Sequence, residues 1–323
     1  MTVLPTLASV LCAAVPMLAL LAVVWWIDRY DREPIWLVAT VFTWGAVGAI
    51  VLALPTSLVV HSSLLQALTL VDAPMWLLER VAAVLVAPMA EEPAKGAILA
   101  LVVFNRHFDN MTDGFVYGAA AGLGFGMTEN LWYFLSLTGD PAWGSTVVVR
   151  TFYSAVMHAM CTSVLGACVG HARFRRPTVL AAWTGLGLVV AIGIHGTWNA
   201  LASAPSEQLW VADLVLLPLE FLGVALVFEL CVWDEARAIR EELGEEAVHG
   251  VLPTGHPDIL ASWVRRSRHD WLPEGIDHDV YIRVATDLAM RKRQVRELGP
   301  RAPLAYRAEV ELLRRELRGL QAP

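Results

Sequence analysis

Charged side chains are scarce in this sequence of 323 residues. Only 17% of the residues are Asp, Glu, Lys or Arg, whereas 56% are hydrophobic and the mean hydropathy is +0.53. Soluble domains have about 25% charged residues, so an ordinary soluble domain is excluded. The charges are also uneven, because residues 1–233 carry 24 of them and residues 234–323 carry 31. The sequence therefore divides into an apolar body and a charged tail.

Cysteine pairs and excess positive charge are also lacking. The four cysteines form no CxxC pair, which argues against a disulfide framework and against a thiolate zinc site. The net charge is −7, and the tail holds 16 acidic against 15 basic residues. Neither value favours binding to nucleic acid, so we expect no nucleic-acid partner.

The body contains seven apolar runs, each long enough to cross a bilayer, which needs about 20 residues as a helix. Backbone groups in lipid must be satisfied within the protein, so these runs predict an all-α, polytopic membrane bundle of about seven transmembrane helices. The first run lacks a basic segment before it and is long for a signal peptide, so we expect an anchor helix. The runs cover about residues 5–27, 35–60, 77–104, 114–138, 146–170, 178–203 and 209–232.

Arginines in alternate short loops predict the orientation. The loops after the first, third and fifth runs contain arginine, and the other three connecting loops contain neither Lys nor Arg. By the positive-inside rule, the arginine-containing loops lie in the cytoplasm. We therefore expect a multi-pass protein of the cell membrane with its N-terminus outside and a cytoplasmic helical tail, residues 234–323, after a membrane bundle, residues 1–233. The arginines are Arg29, Arg32, Arg106, Arg173, Arg175 and Arg176.

A charged cluster interrupts the third run in the stretch MAEEPAKGAI, residues 89–98. A charge at membrane depth costs roughly 2.5–3.5 kcal/mol on insertion scales, so such residues are candidates for function. At about 100° per helical residue, Lys95 points between Glu91 and Glu92. Pro93 cannot donate a backbone hydrogen bond, and it predicts a kinked or loosened helix, as Pro88 does one turn earlier.

The fourth run combines glycines with an acid. Small residues at a spacing of four let two helices approach closely. On a helix Glu129 falls in the middle of the arc that the glycines cover, so we expect it to face protein rather than lipid. Asn130 follows directly. The packing glycines are Gly114, Gly118, Gly122 and Gly126.

The fifth and sixth runs each contribute a histidine. Arg150 and His158 share one helical face, and His195 and Asn199 are neighbours at i and i+4. An Asn at that position can orient the His by a hydrogen bond. By depth, the acids and histidines of the four runs can converge on one site that opens toward the external side. Glu220 lies deep in the seventh run, and the sequence assigns it no role.

This set of residues suits general acid–base catalysis, in which one carboxylate activates water for hydrolysis of an amide. The same groups can instead bind zinc, with His158, His195, Glu129 and Glu92 as ligands. Because no HExxH motif is present, we predict no cofactor and keep zinc as the alternative. A proton-coupled transporter that uses the buried acids as a relay is a further alternative, although no internal repeat supports it.

The motifs resemble those of the PrsW family of bacterial intramembrane proteases, which is related to the CAAX-prenyl endopeptidases. EEPAK is similar to the family's EExxK, and the fourth run contains an FxxxE pattern. RTFYSAVMHAMCT and HGTWN supply histidines in the expected order, and the resemblance spans about residues 25–200. The residues that carry it are Glu91, Glu92, Lys95, Phe125, Glu129, His158, His195 and Asn199.

The resemblance implies proteolysis of a single-pass membrane protein, of the anti-sigma-factor type, on its extracytoplasmic side. Carried over by position, Glu91 and Glu92 form the acid–base pair that activates water. Glu129, His158 and His195 complete the site. The tail lies outside the resemblance, and its sequence pattern predicts a small cytosolic helical module.

Overall fold

A computed structural model of the chain describes residues 3–28, 33–70, 74–203 and 206–321, with only the backbone described for residues 3, 27, 206–214 and 217. The described residues form helices and no strands, as the apolar runs predict. Arg29 and Arg32, used above for orientation, lie outside the described residues. The helices of the body are α1 (Val3–Ile27), α2 (Ile35–Thr43), α3 (Ile50–Thr69), α4 (Met75–Val81), α5 (Ala87–Gly96), α6 (Leu99–Val102), α7 (Met111–Ser136), α8 (Trp143–Val149), α9 (Ala155–Ala172), α10 (Pro177–Ala202) and α11 (Ser206–Val248).

Three segments of π-helix join some of these helices. They are π1 (Trp44–Ala49), π2 (Ala82–Val86) and π3 (Arg150–Ser154). Because π-helix and α-helix follow one another directly, α2 and α3 form one long rod through π1, and α8 and α9 form another through π3. Single π turns of this kind are rare and occur frequently at functional sites.

Four helical rods among the described residues are long and apolar enough to cross a membrane. They are Leu4–Trp26, Ile35–Thr69, Trp143–Ala172 and Pro177–Ala202, which correspond to the first, second, fifth and sixth apolar runs. The other three runs are also helical, but the third is divided among short helices and the seventh lies within α11. A total of seven crossings therefore stays a prediction.

Helix α7 forms the centre of the body. Asn110 caps its first turn, since Asn110 Oδ1 accepts from the backbone N–H groups of Thr112 (2.6 Å) and Asp113 (3.1 Å). The Asp113 carboxylate accepts in return from the backbone N–H of Asn110 at 2.9 Å, which completes a capping box. All residues from Thr112 to Gly126 are buried, because α1, α2, π1 and α9 surround the helix.

The predicted distortion at EEPAK lies on either side of the motif. Helix α5 continues through Pro93 without interruption. The π turn of π2 ends immediately before α5, and Ala97 and Ile98 form a turn before α6. A proline at the first turn of a helix has no N–H to lose, which is how α5 accommodates Pro88.

The tail packs around the C-terminal continuation of α11. Helix α11 passes the predicted boundary at residue 233 without a break, so the proposed division falls inside one helix of 43 residues. Its residues Ile239 and Leu243 pack with Tyr281, Leu288 and Leu317 in a separate apolar core. The remaining elements are α12 (His256–Leu260), α13 (Trp263–Arg266), α14 (His278–Leu298), a 3₁₀ turn (Gly299–Arg301) and α15 (Leu304–Leu320).

Candidate active site

The EEPAK cluster, defined as Glu91, Glu92 and Lys95, lies in the interior of the body. Lys95 is fully buried, and its Nζ lies 2.7 Å from Glu92 Oε1 and 3.5 Å from Glu91 Oε2. The lysine thus lies between the two acids, as the helical spacing predicts. Its ammonium group also lies 4.2 Å from the ring centroid of Phe125, a cation–π contact that helps to hold the charge away from water.

The two acids have different surroundings. Glu92 is fully buried, and its Oε1 accepts hydrogen bonds from Lys95 Nζ and His195 Nδ1, both at 2.7 Å. The Glu91 side chain is 14% exposed and lines an open cavity. Glu92 is therefore a structural anchor for its neighbours, while Glu91 is accessible to a substrate.

Glu129 forms a second charged group opposite the first. Its Oε2 lies 2.7 Å from His158 Nε2 and 2.7 Å from Arg150 Nη2. Arg150 Nε donates to Asn130 Oδ1 at 3.0 Å, and the guanidinium stacks 3.7 Å above the ring centroid of Tyr133. Arg150 is therefore part of the site.

Hydrogen bonds assign different tautomers to the two histidines. A charged lysine can only donate, so Lys95 Nζ donates to His158 Nδ1 at 3.0 Å, and His158 Nε2–H donates to Glu129. A carboxylate only accepts, so His195 Nδ1–H donates to Glu92, and in the neutral ring Nε2 then carries the lone pair. His195 Nε2 lies 3.8 Å from Glu91 Oε2. The site thus presents one imidazole donor and one imidazole lone pair.

Asn199 does not orient His195, because Glu92 does so. The amide nitrogen of Asn199 donates instead to the backbone carbonyl of Ala83 in π2 at 2.8 Å. Asn130 similarly donates to the backbone carbonyl of Arg150 in π3 at 3.3 Å. Both asparagines therefore hold the backbone of the site.

The predicted glycine stripe lies against α9 and determines the position of His158. A Cβ atom on Gly114, Gly118 or Gly122 would overlap the carbonyl oxygens of Gly166, Thr162 and His158 respectively. A Cβ atom on Gly126 would lie 3.3 Å from His158 Cδ2. The backbones of α7 and α9 are therefore in direct contact, which brings Glu129 and His158 within hydrogen-bond distance.

These groups surround a cavity of about 360 Å³. Glu92 and Lys95 lie behind its wall and do not line it. Tyr133, Met157 and Trp198 also line the cavity, although they were not predicted. The sequence does indicate Tyr133, because it lies four residues after Glu129 and therefore on the same helical face. Glu220 is buried and lies outside the cavity lining. The polar lining consists of Glu91, Glu129, Tyr133, Arg150, Ser154, His158, His195, Asn199 and Ser203.

A divalent metal ion fits part of this cavity. Ligand atoms of Glu91, His158 and His195 lie within 4.8 Å of one another. Two histidines and one carboxylate suit catalytic zinc, and the Glu92–His195 hydrogen bond is the kind of outer contact that orients a metal-binding histidine. The sequence pattern suggested Glu92 and Glu129 as the alternative carboxylate ligands, whereas the geometry favours Glu91.

Comparison with known proteins identifies the family. Residues 33–230 match the model of the PrsW family of intramembrane metalloproteases. The chain belongs to the PrsW family. It is 29% identical to Protease PrsW of Bacillus subtilis (strain 168) over 196 residues, which cover 60% of this chain and 83% of the relative. It is 27% identical to Protease PrsW of Geobacillus kaustophilus (strain HTA426) over 209 residues, covering 63% and 84%. No solved structure matches the chain.

Membership of the PrsW family confirms the resemblance that EEPAK and the histidine motifs indicate. This PrsW-family protein is a protease of the membrane, and its function is intramembrane proteolysis. The matched residues 33–230 include every side chain of the cavity described above. The tail, residues 234–323, lies outside the matched residues.

Proposed function

We propose that this PrsW-family protease hydrolyses a peptide bond of a membrane-spanning protein in the cavity between Glu91, Glu129, His158 and His195. The observation that carries the proposal is the convergence of these four titratable side chains, from four different helices, on one cavity. Family membership favours hydrolysis over the proton-coupled transport that the same buried acids also suggested.

Glu91 is the general base in this proposal, and Glu92 is a positioning residue. Glu91 reaches the cavity, where it can accept a proton from water as the water oxygen bonds to the scissile carbonyl carbon. Glu92 is occupied by Lys95 and His195. The proton taken by Glu91 then passes to the amide nitrogen as the C–N bond breaks.

His158 and Arg150 supply hydrogen-bond donors to the cavity. His158 Nε2–H and Arg150 Nη2 both lie 2.7 Å from Glu129 Oε2, and in this proposal they are the donors that stabilise the carbonyl oxygen as it becomes an oxyanion. Donors that are already oriented need no rearrangement as charge develops. Glu129 holds them in place.

A zinc-assisted version of the same hydrolysis is the second candidate, because the ligand atoms of Glu91, His158 and His195 lie within 4.8 Å of one another. These three residues would hold the ion, which supplies Lewis-acid polarisation of the scissile carbonyl when it is bound. In this version Glu129 is the carboxylate that remains to accept the proton of the water.

The cavity opens on the external side in our proposal. Arg173 contacts Asp109 at 3.2 Å and the backbone carbonyl of Asn105 at 2.7 Å, so the loops after α6 and α9 lie together. The arginines of these loops favour the cytoplasm. Ala202 and Ser203, at the opposite end of α10, line the cavity. This supports an external N-terminus, a cytoplasmic tail and cleavage toward the extracytoplasmic side of a single-pass substrate of the anti-sigma-factor type.

Co-expression with a tagged single-pass membrane protein tests the proposal. Fragments that depend on the chain, found by proteomics of membranes, identify the substrate to be tagged. We expect Glu91→Gln and His195→Ala to lower the cleavage rate by roughly 10²–10⁴-fold, the contribution of a general base or its equivalent. The matched control is Glu79→Gln, an exposed acid of α4, which keeps wild-type cleavage. Variants of Glu91 and His195 that cleave as fast as wild type would contradict the assignment.

Metal removal separates the two candidate mechanisms. The purified protein is treated with a chelator, its metal content is measured, and cleavage is assayed before and after zinc is restored. Loss of cleavage that zinc alone restores supports the zinc-assisted version. Full cleavage by a chain that contains no metal supports hydrolysis by Glu91 without an ion.

A further inference from the structure

The π segments of the body are held by side chains that neighbour the site residues. Thr128 Oγ1 donates to the Ala46 carbonyl of π1 at 2.7 Å. Asn130 and Asn199 donate to carbonyls of π3 and π2, as described above. A π turn inserts one extra residue, so a carbonyl is left for an outside donor, and in a membrane that donor must come from the protein. Each π segment is thus linked to a helix that carries a site residue.

Thr128 and Asn130 flank Glu129 and hold it from two sides. Successive helical residues are about 100° apart, so Thr128 reaches π1 on one side of α7 and Asn130 reaches π3 on the other. The Asn130 side already has two more polar contacts, the Arg150–Glu129 ion pair and the Arg150–Asn130 hydrogen bond. On the π1 side the hydroxyl of Thr128 provides the corresponding contact.

Segment π1 also contacts the helix of the other carboxylates. Trp44 Nε1 donates to the Ala94 carbonyl of α5 at 3.0 Å, within the EEPAK motif. The backbones of π1 and α7 are in contact, because a Cβ atom on Gly45 would overlap the Ala121 carbonyl oxygen. Through Trp44 and Thr128, π1 therefore joins α5 to α7.

We propose that π1 is a strut that sets the separation of Glu91 and Glu129, with Thr128 and Trp44 as positioning residues. This inference rests on the proposed function for its effect on catalysis, but the strut itself is a structural claim. Neither residue lines the cavity, so each acts through the carboxylate helix that it holds. Displacing a catalytic group by about 1 Å can cost 10²-fold in rate.

The test uses substitutions that remove one hydrogen-bond donor each, together with one that keeps the donor. Thr128→Val keeps the side-chain volume, Trp44→Phe replaces the indole with a smaller aromatic ring that has no N–H, and Thr128→Ser is the variant that keeps the hydroxyl. Thr40→Val removes a hydroxyl that bonds within its own helix α2. We expect Thr128→Val and Trp44→Phe to lower kcat roughly 10–100-fold with little change in KM. Thr128→Ser restores most of the rate, and Thr40→Val behaves as wild type.

A distance measurement tests the strut without cleavage. Spin labels on Met89→Cys in α5 and Trp132→Cys in α7, both exposed positions, report the separation of the helices in a chain without its native cysteines. We expect the distance distribution to broaden or shift in Thr128→Val and Trp44→Phe and to stay unchanged in Thr40→Val. An unchanged distribution overturns the strut whether or not the chain cleaves. Failure of wild-type chain to cleave, with a broadened distribution in the variants, contradicts the proposed function alone.

Discussion

Two groups of charges, one buried in the body and one partly buried in the tail, both pair glutamates with basic side chains but differ in how completely the acids are paired. The EEPAK cluster has one lysine for two acids. The tail ion-pair cluster has three bases for three acids, and Arg314 also pairs with the exposed Glu311 outside the cluster. Its members are Glu242, Glu245, Glu246, Lys292, Arg296 and Arg314.

The difference lies in which carboxylate oxygens are satisfied. In the tail, Arg314 donates to both oxygens of Glu246, at 2.6 and 2.8 Å, and Lys292 Nζ adds a contact at 2.6 Å. In the body, Oε2 of Glu91 and Oε2 of Glu92 are buried and make no hydrogen bond with the described residues. Full pairing stabilises a fold, whereas incomplete pairing beside a cavity leaves an acceptor for a proton.

Replacing Lys95 by Met gives the largest expected effect. The side chain keeps all but the last atom of its length, but Glu91 and Glu92 lose their shared cation, and His158 loses the donor that sets its tautomer. Breaking a buried pair typically costs about 3–5 kcal/mol. We expect a lower thermal midpoint in detergent and no cleavage.

The double variant Lys95→Met, Glu92→Gln sharpens this prediction. The double variant also removes the negative charge of Glu92, which Lys95 no longer neutralises. It should therefore recover much of the thermal midpoint, while cleavage stays absent. A Lys95→Met chain with wild-type stability would show that the cluster is not charged as described.

Replacing Glu246 by Gln in the tail should affect stability and leave cleavage intact. Glu246 is 1% exposed, and Arg314 and Lys292 would lose their charged partner. We expect the free energy of unfolding to fall by about 1–3 kcal/mol. Glu241→Gln, in an exposed pair with Arg237, is the control and should change stability by less than about 0.5 kcal/mol. Loss of cleavage in Glu246→Gln at a temperature where it stays folded would contradict the division between the two clusters.

The smallest effect is expected at Asp287, where α14 faces the loop after α6. Burial, with a further contribution from nearby Asp109, raises the pKa of Asp287 to about 6 from the ordinary 3.8. The folded chain therefore holds the proton more tightly, so stability falls as pH rises from about 4 to about 6 and is flat above that range. Asp287→Asn should remove this dependence and stabilise the chain at pH 7.5 by about 1 kcal/mol. Thermal midpoints of both chains at pH 4 and pH 7.5 check it; equal pH dependence would contradict it.

Patterns in the sequence were sufficient for the helical class, and they singled out the four titratable side chains, Glu91, Glu129, His158 and His195, that the structure brings to one cavity. The angular position of Lys95 between Glu91 and Glu92 follows from helical geometry alone, since all three lie in one turn of α5. The glycine spacing likewise predicts a close helix contact, although it does not name α9 as the partner. Local spacing carries this information because a helix has a fixed rotation per residue.

Contacts between distant segments were beyond the sequence. Glu91 and Glu92 are adjacent, and only the position of His195, more than 100 residues later, decides which acid is covered. The π turns depend on tertiary donors such as Thr128, so no local pattern predicts them. The continuity of α11 across residue 233 was also missed, because a change of composition does not require a break in a helix.

The contact of α7 with α9 connects packing to evolvability. A methyl group added at Gly122 meets the carbonyl of His158, so the histidine itself must move to admit it. Most helix surfaces tolerate an Ala for a Gly, and many gain from it. On this surface the smallest mutational step is also a step in active-site geometry, which leaves the sequence little freedom to drift there without changing the enzyme.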